Sequence, residues 1–211
     1  MLPTVIPIFP LPTVVLFPNV FLPLHIFEPR YKAMVADALD GDRLIGMVLL
    51  RPGWEADYEG RPAVFPVGCA GLISHHERLP DGRHNIVLRG LEKFRIEDET
   101  GDETQGYRIA RVRTLHEPLQ ERDRDEVRAA RQRLEALLVP RPTGRGHDPN
   151  VPPSMGDEDL VNALAQYMEL EPLEKQALLE REGLLARCRS LIELLEMKML
   201  VARHDWSSER H

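Results

Sequence analysis

The chain has 211 residues, 43% hydrophobic and 29% charged, the composition of an ordinary globular protein that buries roughly 70% of its extended-chain surface without metal or disulfide staples. Its net charge is −7, with 27 Lys/Arg against 34 Asp/Glu, so no basic excess exists to neutralise phosphates, and this argues against a nucleic-acid partner. Only Cys69 and Cys188 are present, too far apart in sequence for a disulfide framework or a zinc spacing, which suits a reducing, cytoplasmic setting.

The first charged residue is Glu28, so the N-terminal stretch is long enough to cross a bilayer. Pro3, Pro7, Pro10, Pro12, Pro18 and Pro23 forbid a continuous helix there, each interior proline costing about 3 kcal/mol. The first basic residue is Arg30, so no signal-peptide n-region is present, and no membrane association is expected. The stretch instead reads as short strands with prolines at their ends, over Val5–Phe9, Val14–Phe17 and Phe21–Phe27.

Pro29 suits the first turn of a helix on which Tyr31, Met34, Val35, Ala38 and Leu39 recur at helical spacing, with Gly41 as its stop. Leu44–Leu50 is a near-continuous apolar run, as in a strand buried on both faces. A turn-rich loop, Arg51–Pro62, precedes the β-forming stretch Ala63–Glu77. Leu79-Pro80-Asp81-Gly82-Arg83 then gives a hairpin turn, with Pro fixing φ and Gly accepting positive φ. His84–Leu88 returns as the partner strand. Glu92, Phe94 and Ile96 alternate with Lys93, Arg95 and Glu97, the pattern of a half-exposed strand, and Tyr107–Leu115 closes the β region.

From about residue 118 the period changes to 3.6. Val127, Ala130, Leu134, Leu137 and Leu138 share a face, and the Arg-rich run from Arg122 to Arg133 is interleaved with acids, as on a solvated helix surface. The Pro/Gly-rich segment 140–156 is expected to be mobile. Ser154 and Asp157 have capping-box spacing ahead of Leu160, Val161, Leu164 and Met168. Pro172 can open a helix over Leu173–Glu180. A last helix places Leu184, Leu185, Cys188, Leu191, Ile192, Leu195 and Met199 on one side, before a polar tail at 206–211 that is expected to fray. The reading is α+β, with a β lobe over 1–117 holding one early helix and a helical lobe over 118–205.

Three segments carry a family resemblance. They are Pro7-Ile8-Phe9-Pro10-Leu11-Pro12 through His25-Ile26-Phe27-Glu28-Pro29-Arg30-Tyr31, Val67-Gly68-Cys69-Ala70 through Lys93-Phe94-Arg95-Ile96, and Glu174-Lys175-Gln176-Ala177-Leu178-Leu179-Glu180. In this order they resemble the N-terminal substrate-binding domain of Lon proteases. The resemblance implies a PUA-like β pseudo-barrel followed by a helical bundle. It also implies recognition of unfolded or tagged client proteins, and assembly, while other domains unfold and cut. The barrel is similar to the corresponding part of cereblon, which serves protein–protein contact. The chain is expected to stop where an ATPase would begin.

Chemistry of its own is not expected. Lys32, Lys93, Lys175 and Lys198 follow Tyr, Glu, Glu and Met, so none is a P-loop lysine. Ser74, Ser154, Ser190, Ser207 and Ser208 stand in no motif like that of the Lon peptidase. His75-His76-Glu77 matches half of a deaminase zinc signature without its Pro-Cys-x-x-Cys half, and reads as ordinary polar surface near a hairpin. No cofactor and no metal are therefore expected. His25, Glu28, Pro29, Arg30 and Tyr31 read as a motif locking the strand–helix joint. Trp54 and Tyr58, aromatic in a Gly/Pro-rich loop, and Phe17 and Phe21, bracketing Pro18-Asn19, are the candidate peptide contacts. The resulting expectation is a non-catalytic module that captures apolar client segments. An assembly or adaptor unit docking to a protease or another partner is the alternative. A small-ligand receptor or enzyme using the barrel cleft has no specific support.

Overall fold

The computed structural model describes residues 2–58, 60–100, 106–138 and 155–208, with side chains to Val201. Its described residues fall into two compact units, Met1–His116 with Asn162–Glu180, and Glu117–Val161 with Arg181–His211. The architecture is α+β, with six strands in one sheet and five α-helices among the described residues.

In the first unit the strands are β1 (Val5–Leu11), β2 (Phe21–Ile26), β3 (Leu44–Leu49), β4 (Val67–Arg78), β5 (His84–Glu99) and β6 (Arg108–Thr114). They follow the order β2-β5-β4-β3-β1-β6, and β6 also pairs with β5. That last pairing closes β1, β3, β4, β5 and β6 into a ring and leaves β2 outside it. β5 is long enough to pair β2 through His84–Arg89 and β6 through Phe94–Glu99. The closed core holds Leu2, Ile6, Ile8, Val48, Ala70, Phe94, Ala110 and Val112. β3 is buried almost throughout, as its unbroken apolar run requires.

Pro7 and Pro10 lie inside β1 rather than at its ends. The register explains why they are tolerated. Val5–Pro7 pairs only with β6, Phe9–Leu11 only with β3, and Ile8 with both. Thr4 O accepts from β6 while Leu11 O accepts from Leu50, so alternate residues face opposite neighbours. Each proline thus turns its missing N–H toward the side where its half of the strand has no partner.

Val14–Phe17 forms no strand. Val15, Leu16 and Phe17 are buried, but the Phe17 N–H donates to Gln166 Oε1 at 3.2 Å rather than to a ladder. α1 (Pro29–Asp40) buries Tyr31, Met34, Val35 and Ala38 and ends at Gly41. The Leu79–Arg83 turn has Gly82 at φ 80 and Leu79 N–H donating to Arg83 O at 2.8 Å.

α3 (Asp157–Tyr167) and α4 (Pro172–Leu179) supply the rest of the first unit from Asn162 onward. α4 opens on a capping box between Glu171 and Glu174. Its buried Gln176 donates to Val67 O at 3.0 Å. Lys93 is only 3% exposed, against the half-exposed alternation expected of its strand. Its Nζ donates to Leu179 O at 2.9 Å, at the C-terminal end of α4 where the helix dipole favours a cation.

In the second unit α2 (Arg124–Leu138) buries Val127 and Leu134. α5 (Gly183–Ser208) buries Leu184, Cys188, Leu191, Ile192 and Leu195. Burial ends there, because Met197, Met199, Leu200 and Val201 are exposed. Arg187 is buried and its guanidinium reaches Glu117 at 3.2 Å and Glu158 at 3.9 Å. Most of 140–156, including Ser154 of the expected capping box, and residues 209–211 of the expected tail lie outside the described residues.

Candidate functional site

β2 delivers the chain to α1 through Phe27 and Glu28, and Pro29 fixes the helical φ at the first position. Glu28 is the N-cap by position, yet its carboxylate does not cap the helix. Arg30 Nε and Nη2 reach Glu28 Oε2 at 3.0 and 2.9 Å, and the Tyr58 hydroxyl donates to Glu28 Oε1 at 2.8 Å. The Arg30 guanidinium lies 4.7 Å from the Tyr31 ring centroid and 5.0 Å from that of Tyr58. Two aromatic faces and a carboxylate therefore fix one arginine fork. Trp54, on a 3-10 turn over Trp54–Asp57, meets Tyr58 edge-on at 5.5 Å. The joint of β2 and α1 is thus tied to the 51–62 loop through Glu28.

Beside this joint is a cavity of about 360 Å³ lined by Pro10, Arg30, Tyr31, Leu50, Tyr58, Gly60, Arg61, Pro62, Gly106, Tyr107 and Arg108. Tyr31 donates to Pro10 O at 3.4 Å and Tyr107 to Asp37 Oδ2 at 2.6 Å. Burial pushes Tyr31 up to about 12, helped by the carboxylate of Glu28 and by Tyr58 and opposed by Arg30 and Arg108. Burial and then Asp37 push Tyr107 to about 12. Burial, then the bond to Glu28, also raises Tyr58. All three phenols are neutral donors at ordinary pH. Arg108 Nε donates to Glu99 Oε2 at 2.9 Å, a second contact joins Nη2 to Oε1, and Nη1 donates to Pro62 O at 2.8 Å.

The remaining motif residue, His25, belongs to a different network. Its Nδ1 lies 2.8 Å from Asn85 Oδ1 and its Nε2 3.1 Å from Arg83 Nη1, a pattern that places the ring proton on Nδ1. It clips β2 to the hairpin. His76 Nε2 and His84 Nδ1 are 2.7 Å apart, while Glu77 accepts from Asn85 at 2.9 Å. The shallow cavity that includes His75 is otherwise lined by Pro23, Leu24, His25, Asn85, Ile86 and Val87. It offers no carboxylate. Among the described residues, no group of three or more His, Cys, Asp or Glu could hold a metal ion.

The four aromatic candidates separate. Phe17 is 0% exposed, so it packs the interior and presents nothing to a partner. Phe21 is 50% exposed at the start of β2. Tyr58 meets Glu28 just past the other end of that strand, and seven residues of extended chain place the two regions about 20 Å apart. Phe21 is joined by a residue that nothing local in the sequence marks. The Tyr167 hydroxyl accepts from Phe21 N–H at 3.2 Å and donates to Phe21 O at 2.9 Å, and Tyr167 itself is 62% exposed. Phe27, 60% exposed, lies just past the far end of β2 and stacks on His25.

A model of the ATP-dependent protease La (LON) substrate-binding domain family matches residues 5–197. The Lon protease of Cytophaga hutchinsonii is 26% identical over 99% of this chain and 26% of its own length. The Lon protease of Escherichia coli K12 is likewise 26% identical, over 92% of this chain and 25% of its own. The chain therefore spans about a quarter of the length of these relatives. Among solved structures, a Lon N-terminal domain protein from Xanthomonas campestris superposes with a TM-score of 0.60 at 20% identity, over 90% of this chain and 98% of that one. The N-terminal domain of a Mycobacterium avium complex Lon protease gives 0.64 at 15% identity, over 91% and 98%.

Proposed function

The chain belongs to the Lon substrate-binding domain family, and from that premise we propose that it is a non-catalytic, cytoplasmic module that captures exposed apolar segments of unfolded or tagged client polypeptides. The observation that carries the reading is the set of large side chains Phe21, Phe27 and Tyr167 left exposed at the two ends of β2, the one strand outside the closed ring. Large aromatics at a surface anchor contacts by removing apolar area from water, at about 25 cal/mol per Å², with little demand on the partner's sequence. Phe21, Trp54 and Tyr58 are the contact residues proposed; Phe17 drops out because it is buried. No lysine follows a phosphate-cradling glycine loop, and among the described residues neither cavity described above is lined by a serine, threonine or cysteine. No helix among the described residues is long and apolar enough to cross a membrane.

Titration with a reduced, carboxymethylated model protein is expected to give a dissociation constant on the order of 10–100 μM, weak because the client loses chain entropy on capture. Phe21→Ala and Trp54→Ala should each weaken it several-fold. No association at high micromolar concentration would refute the proposal. The second reading, an assembly or adaptor unit docking to a protease or other partner, draws on the exposed Met197, Met199, Leu200 and Val201 of α5. A monomer by light scattering at all concentrations, with no protease recovered alongside it, would count against that reading.

A further inference from the structure

We infer that the cavity beside α1 is a pocket for a carboxylate borne by a bound peptide, an inference that rests on the peptide-binding reading above and names what this part of the site takes. Three arginines line the cavity, Arg30, Arg61 and Arg108, and among the described residues no Asp or Glu does. Two of these arginines hold an acid of their own. Glu28 is held by Arg30 and by the Tyr58 hydroxyl, and Glu99 by Arg108. Arg61 is exposed and has no ion pair among the described residues.

The three tyrosines direct their hydroxyls to Pro10 O, Glu28 and Asp37, so their rings, with Pro10, Leu50 and Pro62, form the apolar part of the wall. Arg30 is set between two of those rings with Nε and Nη2 on Glu28, so it fixes the wall beside Arg61, and a fixed wall lowers the ordering cost of binding. The N-terminal end of α1 adds positive potential of the same sign.

Arg30 and Arg108 are each paired with an acid of their own, so Arg61 is the lining cation left to meet a ligand's charge. That suits a monoanion better than a phosphate dianion. A planar carboxylate fits a guanidinium fork, and a cavity of about 360 Å³ admits one residue with an apolar or aromatic side chain. The carboxylate can come from a chain's C-terminus or from an Asp or Glu side chain.

Fluorescence anisotropy on the full chain tests this with three labelled peptides of one apolar sequence. One ends in a free C-terminal Phe, one is amidated, and one is amidated with Glu before the Phe. The expected result is at least tenfold tighter binding of one or both acidic peptides than of the neutral amide. Arg61→Ala should lose that preference, Arg61→Lys should retain part of it, and 0.5 M salt should reduce it. Preference for the free terminus identifies the C-terminus as the source; preference for the Glu peptide identifies the side chain. Equal binding of all three, or binding of none while the unfolded model protein still binds, overturns the pocket and leaves the peptide-binding reading standing. Failure of the unfolded protein as well overturns both.

Discussion

His84 shows how a buried residue on this surface gains a pH dependence. Its ring is nearly buried and hydrogen-bonded to His76. Burial first, and then the charges of His76, Arg78 and Lys32, hold its pKa below the usual histidine value. A histidine depressed in the folded state is neutral there while the unfolded chain still binds the proton. Stability is therefore complete above about pH 6.5 and falls as pH drops below it, levelling only beneath the folded pKa. Urea melts between pH 5 and 8 should show this decline, and His76→Gln should make it shallower. A decline that is the same in both proteins would show that the pair is not its source.

Among the elements, the decisive local arrangement is the passage of the 17–20 segment across β5. Asn19 N–H donates to Gly90 O at 3.0 Å and Gly90 N–H to Val20 O at 2.9 Å, in the gap between the stretches of β5 that pair β2 and β6. A Cβ at Gly90 would stand 1.9 Å from Phe17 O, a backbone atom that cannot swing aside as a side chain could. Gly90→Ala is expected to cost about 3 kcal/mol or more. Gly82→Ala, which meets no atom within 4 Å but sits at φ +80, should cost about 1 kcal/mol. The midpoint of urea unfolding measures both, and a smaller loss at Gly90 than at Gly82 would sink the argument. The same passage accounts for Phe17, buried without a ladder partner because its N–H and the Pro18 carbonyl meet Gln166 and Asn162 of α3.

For the molecule as a whole, the β-rich unit is completed by a stretch far along the chain. Asn162 donates to Pro18 O at 3.1 Å, Gln166 accepts from Phe17 N–H, Gln176 donates to Val67 O, and Leu179 O accepts from Lys93. At about 1 kcal/mol each, these four bonds amount to a sizeable part of a typical stability of roughly 5–15 kcal/mol. The burial of Ala165, Leu178 and Leu179 adds to them. A fragment of residues 1–116 is expected to lose cooperative thermal unfolding for want of these partners. A fragment that melts as sharply and as high as the full chain would show that the β strands fold without 162–180.

The sequence by itself determined what depends on near neighbours. Proline positions ruled out an N-terminal helix, Gly82 and Gly41 marked a turn and a stop, alternation and 3.6-residue spacing separated strands from helices, and the His25–Tyr31 motif located the β2–α1 joint. Such signals are set by backbone sterics and by which face of one element is apolar. Only the tertiary structure decided that Phe17 is interior, that Lys93 is buried, that Tyr167 ties down the edge of β2, and that Arg61, Tyr107 and Arg108 converge with Arg30 on one cavity. Those residues lie tens of positions apart and meet through the pairing of β6 with β1 and through the contacts of 162–180 with the strands, long-range meetings with no local signature.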